Sequence, residues 1–307
     1  MKRKMPDKLV KEINRIFHEE EAKLYDERHP EIEREKENWN YVLSKYLPYP
    51  PEKCKVLDIG TGTGFVPSVI DRYLEDSIII ATDISQNMLL NAKLKLGNLR
   101  NDLESAVCDV EILPIRDNSI DIITINSTLH HIPNYLRTLK EIARILSREG
   151  ILFIMHEPNK LFYHSLLPKI NYVFQLYLNL KFKLKRRQGK KKDWNKFFND
   201  VNQRLLIEGL IEQPLSPRQI QMLVDIHSPT ASGIPDKEKG FVPAHIASQL
   251  KDLRLIEMKT YNYLEKTDPG TDLLSFLLNK VLARLFPGKG YNFSMVLGKR
   301  RGQNDND

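Results

Sequence analysis

Cysteine is scarce in this sequence: Cys54 and Cys108 are the two in 307 residues. They stand far apart in apolar contexts, which excludes a C-x-x-C redox pair, a cysteine-rich zinc site and a disulfide framework. A reducing, cytoplasmic setting is the expectation. Long hydrophobic runs are also missing. Without about 20 consecutive uncharged apolar residues, no transmembrane helix is read. The opening MKRKMPDKLV is basic but no apolar segment follows it, so it is not read as a secretory signal. What is present is ordinary: 41% hydrophobic and 28% charged residues, which excludes a collagenous or wholly disordered chain. The length allows one large domain or two smaller ones with a real core.

The net charge is +7, but Lys181 to Lys192 read KFKLKRRQGKKK, with eight basic residues and no acid. Without those eight charges the +7 becomes −1. A nucleic-acid binder would spread basicity along a face or groove, so the balance reports one segment and not the whole surface.

Residues 8 to 47 read as a helical arm, with Leu9, Ile13, Ile16 and Phe17 at helical spacing and a break at Pro30. Pro48, Pro50 and Pro51 end it, and the arm is assigned to residues 1–50. From Lys53 onward, short apolar runs alternate with helical stretches: KVLDIG, SIIIATDI, SAVCDV, IDIITIN and ILFIMHE. Runs of about five apolar residues between helices indicate parallel strands buried on both faces. The fold class is therefore α/β, a doubly wound, Rossmann-like sheet of seven mostly parallel strands, with its core at residues 51–158. After Pro158 strand character lapses for about a hundred residues, too long for a plain loop. A helical insertion or lid is expected over 159–250, with helices near 161 to 187, 193 to 211 and 217 to 226. The last two strands, with an apolar helix between them, fall in 251–300, and 301–307 is a frayed tail.

The first strand runs into Asp58, Gly60, Gly62 and Gly64, in the order D-x-G-x-G-x-G. Glycines there let the backbone approach a ligand closely and turn tightly into a helix. A dinucleotide site prefers G-x-G-x-x-G with a small last residue, and Phe65 occupies that place. Asp83 ends the next strand about 20 residues on, where a carboxylate can accept both hydroxyls of a ribose. Beyond it come Asp109, then Leu113, Pro114, Asp117, Ser119 and Asp121 in an L-P-x-x-D-x-S-x-D run. Glu141, Ile142, Arg144 and Leu146 follow in an E-I-x-R-x-L helix.

On these motifs, residues 53 to 158 resemble a class I S-adenosylmethionine-dependent methyltransferase of the broad ubiquinone and menaquinone methyltransferase group. The resemblance covers about a third of the chain. It implies that Gly60, Gly62 and Gly64 lie against the methionine part of S-adenosylmethionine, with Thr61 among them. Asp83, beside Ile84, would hold the ribose, and Asp109 with Val110 would meet the adenine. Asn126 would flank the methionine or sulfonium, and Asp58 would act through water near the ammonium. Carboxylates suit this cofactor, which carries two cationic groups and one carboxylate. Methyl transfer is an in-line displacement, so alignment and exclusion of water are the main requirements. Where the acceptor has a proton to lose, a neutral histidine can take it. His130 and His131, just after the fourth strand, and His227, in the turn-rich HSPTASGIPDKEKGF segment, are the candidates; a helix-start or packing role is the alternative for the pair, and a solvated connector is the alternative for the segment of His227. No metal site is read.

The acceptor is expected to be a small or lipid-like molecule. Phe162, Tyr163, Tyr172, Phe174 and Tyr177 in the insertion suggest apolar bulk. Residues 161–192 could also lie weakly on an anionic membrane surface, although a lid helix covering the cleft and ending in a solvated loop is the favoured reading. The apolar helix DLLSFLLNKVLARLF is open to three readings: a pocket wall, a homodimer contact or an interfacial patch. Two rivals stand beside the small-molecule reading. One is a nucleic-acid methyltransferase using the basic run, disfavoured because strand four ends in Asn126-Ser127-Thr128-Leu129 and not in an Asn/Asp-Pro-Pro-aromatic run. The other is a cofactor-binding or membrane-surface module without catalysis.

Overall fold

The computed structural model describes residues 5–29, 32, 35–48, 53–182, 194–233, 235–264 and 273–299. Most of the basic run and the tail therefore lie outside the described residues. The chain opens with α1 (Asp7–Glu21), α2 (Tyr25–Arg28) and α3 (Glu35–Tyr46), then enters β1 (Lys55–Ile59) and α4 (Phe65–Ile70). There follow β2 (Ile78–Asp83), α5 (Gln86–Lys95), β3 (Asp102–Val107), β4 (Ile120–Asn126), α6 (Tyr135–Ile145) and β5 (Leu146–Pro158). After these come α7 (Lys160–Tyr163), α8 (Leu167–Phe182), α9 (Trp194–Ile207), α10 (Pro217–Val224) and α11 (Pro243–Gln249). The chain then closes the sheet with β6 (Leu253–Tyr261), α12 (Leu273–Leu285) and β7 (Asn292–Lys299).

The seven strands lie in the order β3-β2-β1-β4-β5-β7-β6. Pairings are parallel up to β5, and β7 runs antiparallel to both neighbours. The order reverses at β1, so the carboxyl ends of β1 and β4 open onto the crevice where such sheets bind ligands. Alternate residues of the central strands bury on opposite faces. Leu57, Ile59, Ile123 and Ile125 pack under Leu139, Ile142 and Ile145 of α6. Val56, Ile79, Ile122 and Phe153 pack on the other side against Trp39 and Leu43 of α3 and Val69 and Ile70 of α4. Burial on both faces is why these strands read as unbroken apolar runs.

Two satellite clusters divide the helical interval. Ile13, Ile16 and Phe17 of α1 pack with Phe197, Phe198, Val201 and Leu205 of α9 and with Ile220 and Val224 of α10. Phe162, Tyr163, Leu167 and Phe174 instead pack with Tyr263, Leu264 and Leu282 of α12. The N-terminal arm thus shares a core with the middle of the insertion, while α8 forms a separate layer with α12. That second layer leaves Tyr172, Val173, Leu277, Val281 and Leu285 exposed. No helix among the described residues is long and apolar enough to cross a membrane.

Candidate active site

The loop after β1 is held from behind. The Thr61 hydroxyl donates to the Asp58 carbonyl at 3.2 Å and accepts the Thr82 amide at 3.1 Å. Gly60 and Gly62 take left-handed φ values of 69° and 55°. A Cβ on Gly60 would stand 2.4 Å from the Thr128 side chain, so that glycine also lets the loop touch the turn after β4. Gly64, with φ 93°, begins α4, and a Cβ there would meet Leu96 at 2.7 Å. Its work is packing, whereas Gly60 and Gly62 line the cleft.

Asp83 sits at the end of β2, where Oδ2 accepts the Gly62 amide at 2.9 Å and Oδ1 accepts the Ser85 amide at 2.8 Å. Each oxygen keeps a second lone pair for a ligand, and burial raises its pKa. Asp58 is more deeply enclosed. Thr124 donates to its Oδ1 at 2.6 Å, while Oδ2 is buried without a hydrogen-bond partner. Burial pushes this carboxyl up to about 6. An orphaned buried oxygen is costly unless a water or an ammonium group meets it, so this feature suits a cofactor with an amino group nearby.

The cleft, about 760 Å³ counted to its mouth, is lined by Gly60, Gly62, Asp83, Ile84, Asp109, Val110 and Asn126. Asp58, Thr61 and Gly64 support it from outside the lining. Its roof is α1, which contributes Lys11, Asn14 and His18. The Lys11 ammonium bridges Asp109 at 2.6 Å and Glu111 at 2.8 Å. Asn126 is steadied by the Trp39 indole, which donates to its Oδ1 at 3.0 Å. These roof residues were not among the expected ones. Their signal was the polar stripe Lys11, Asn14, His18, at helical spacing beside the apolar stripe of α1.

A second chamber adjoins the first and shares His18, Tyr25, Asn126, Ser127 and His131 with it. It is polar. Five histidines, His18, His29, His130, His131 and His156, line it with Glu21, Glu35, Asp225 and Arg28. His130 Nδ1 lies 2.9 Å from Glu157, whose other oxygen accepts the Thr128 and Leu129 amides. Burial opposes charge on His130, but Glu157 outweighs it and the pKa is raised. His131 is driven well below its ordinary value by burial and by the neighbouring His130 and His18. Glu21 is buried too, yet His18, His29 and Arg28 hold it down to about 2.

His227 lines neither chamber. Its amide donates to the His130 carbonyl at 3.0 Å and its Nε2 lies 3.1 Å from the Ile132 carbonyl, so it fastens the segment after α10 to the turn after β4. The aromatic residues expected around an acceptor are elsewhere as well: Phe162, Tyr163 and Phe174 are buried against α12, and Tyr172 is exposed. The L-P-x-x-D-x-S-x-D and E-I-x-R motifs form a clamp. Arg144 binds Glu141 and Asp117, each at 2.7 Å, and the Leu113 and Ile115 carbonyls, tying α6 to the loop before β4.

Residues 57–154 match the family described as a methyltransferase domain. A demethylmenaquinone methyltransferase of Thermotoga maritima is 36% identical over 114 residues, covering 37% of this chain and 47% of that protein. A malonyl-[acyl-carrier protein] O-methyltransferase of Geobacter sulfurreducens is 32% identical over 111 residues, 36% of this chain and 41% of that protein. The chain thus spans less than half the length of these curated relatives. A chain of the complex between the Haloferax volcanii Trm112 methyltransferase activator and a methyltransferase superposes with a TM-score of 0.51 at 15% identity, over 92% of this chain and 96% of that one. That likeness shows the fold.

Proposed function

We propose that this chain, whose residues 57–154 form a methyltransferase domain of the class I S-adenosylmethionine-dependent kind, transfers a methyl group to a small polar acceptor. The observation that carries the reading is the junction of the two chambers at Asn126, Ser127 and His131. When bound, S-adenosylmethionine supplies an electrophilic methyl on a sulfonium. Asp83 would hold the ribose, Gly60 and Gly62 would let the backbone approach, and the orphaned oxygen of Asp58 would serve the amino end. The Lys11 bridge to Asp109 closes α1 over the site and keeps water out.

The acceptor follows from the second chamber. Its histidines, carboxylates and guanidinium pair with one another, and an apolar molecule would take these groups further from water while offering them no polar contact, which costs affinity. A polar molecule satisfies them. The relatives named above are a demethylmenaquinone methyltransferase and a malonyl-[acyl-carrier protein] O-methyltransferase, so the shared domain serves more than one class of acceptor. Incubating the protein with methyl-labelled cofactor and a cell extract, then separating lipid from aqueous fractions, tests the proposal. Label in a small aqueous product is expected; label confined to lipid would overturn the polar acceptor, and none at all would overturn the activity.

The exposed side chains of α8 and α12 favour attachment to an anionic membrane face. Tyr172, Val173, Leu277 and Val281 are 66%, 65%, 49% and 48% exposed, and the sequence after α8 is the basic run.

A further inference from the structure

We propose that His130, His131 and Asp225 bind a divalent transition-metal ion in the wall of the polar chamber, with an open coordination position facing the acceptor. One ring nitrogen of each histidine and one carboxylate oxygen of Asp225 lie within 4.8 Å of one another. His131 Nδ1 stands 3.2 Å, and His130 Nε2 4.0 Å, from Asp225 Oδ1, and His131 Nδ1 also lies 3.1 Å from the Val224 carbonyl, a contact it must give up to ligate an ion. Donors around one tetrahedral ion at about 2.0–2.2 Å stand about 3.3–3.6 Å apart. Shifts of up to about 1.5 Å therefore close the set.

The surroundings distinguish this trio from an ordinary ion pair. His130 is oriented through Nδ1 by Glu157, which is fully buried and has its other oxygen fixed by two backbone amides. A carboxylate on the far nitrogen is the usual support of a metal-binding histidine, because it sets the tautomer and leaves the other nitrogen free to ligate. Asp225 is held in place independently. The Val224 carbonyl beside it accepts from Asn14 at 3.0 Å, and the His227 amide bonds to His130. Two imidazoles and one carboxylate select zinc or iron over magnesium or calcium, and three protein ligands leave a position open.

What the ion would do rests on the proposed methyl transfer; its binding does not. A hydroxyl or thiol ligated at the open position loses its proton to solvent more readily. Its lone pair then forms the bond to the methyl carbon as the carbon–sulfur bond breaks and that electron pair returns to sulfur.

The test is titration of the chelator-stripped full-length protein with Co2+ and with Zn2+, by absorption spectroscopy and calorimetry. One ion per chain is expected, with the spectrum of a histidine-bound site. His130→Ala and Asp225→Asn should each weaken binding by at least tenfold, and His245→Ala, at an exposed histidine elsewhere, should not. Circular dichroism melts confirm that the variants fold. Absence of stoichiometric binding, or binding equally strong in the folded His130→Ala and Asp225→Asn proteins, would overturn the site. Cofactor calorimetry on the same metal-free sample separates the two proposals, since its failure bears on methyl transfer and leaves the ion site standing.

Discussion

Asp58 is a buried carboxylate whose ionisation costs the fold stability. Its ordinary pKa of 3.8 rises to about 6 in the folded chain, so on raising the pH the unfolded chain loses this proton first. Stability is present in full below the unfolded value and falls as pH rises between the two, by about 3 kcal/mol at roughly 1.4 kcal/mol per unit. Asp58→Asn should remove that decline, leaving a protein at least as stable as the parent at pH 8 but weaker in binding S-adenosylmethionine. Urea melts at pH 4 and pH 8 with calorimetry check both halves, and an equal decline in the variant would refute the assignment. Asp83→Ala should weaken cofactor binding by about 1–3 kcal/mol through lost charge-assisted hydrogen bonds; unchanged affinity would reject the ribose contact. At Gly60 the left-handed φ and the 2.4 Å approach to Thr128 act together. Gly60→Ala should cost about 1–3 kcal/mol from the backbone alone, and adding Thr128→Ala should recover only the contact part. The D-x-G-x-G-x-G spacing made this loop legible in the sequence. Its division of labour was not, because a glycine that packs on a helix and one that lines a cleft are the same letter.

Among the elements, α1 shows how much an amphipathic helix can conceal. Its apolar stripe predicted a helix, and a helix forms, but the sequence could not say what either face meets. Ile16, fully buried against α9 and α10, anchors the face opposite the roof residues. Ile16→Ala should destabilise by about 2–5 kcal/mol and should also weaken the cofactor complex, because Lys11 and His18 ride on the same helix. A folded variant with unchanged cofactor affinity, measured by calorimetry at low temperature, would show that α1 is not the roof. The helix at α6 was easier to read. Its E-I-x-R pattern puts Glu141 and Arg144 one turn apart, and the clamp onto Asp117 and the Leu113 carbonyl gives the motif a mechanical reason.

At the scale of the molecule, charge and apolar surface are unevenly placed. Deleting residues 181–192 takes the net charge from +7 to −1. Binding to anionic vesicles should then fall sharply, and in the parent it should weaken with salt, since the Debye length shrinks. Cofactor affinity should stay unchanged. Flotation on phosphatidylglycerol vesicles measures this. Equal flotation of the deletion variant would remove the membrane reading, while dimerisation abolished by Val173→Ser with Leu277→Ser would assign the apolar surface to a second copy. The sequence by itself determined the sheet, because strands buried on both faces must be apolar throughout, and it determined the glycine loop after β1, because a positive φ admits few residues. Only the tertiary structure decided that a polar chamber adjoins the cleft. Its histidines and carboxylates come from the arm, the ends of β4 and β5, and α10, and residues about a hundred positions apart acquire a shared charge balance only when packing removes the water between them.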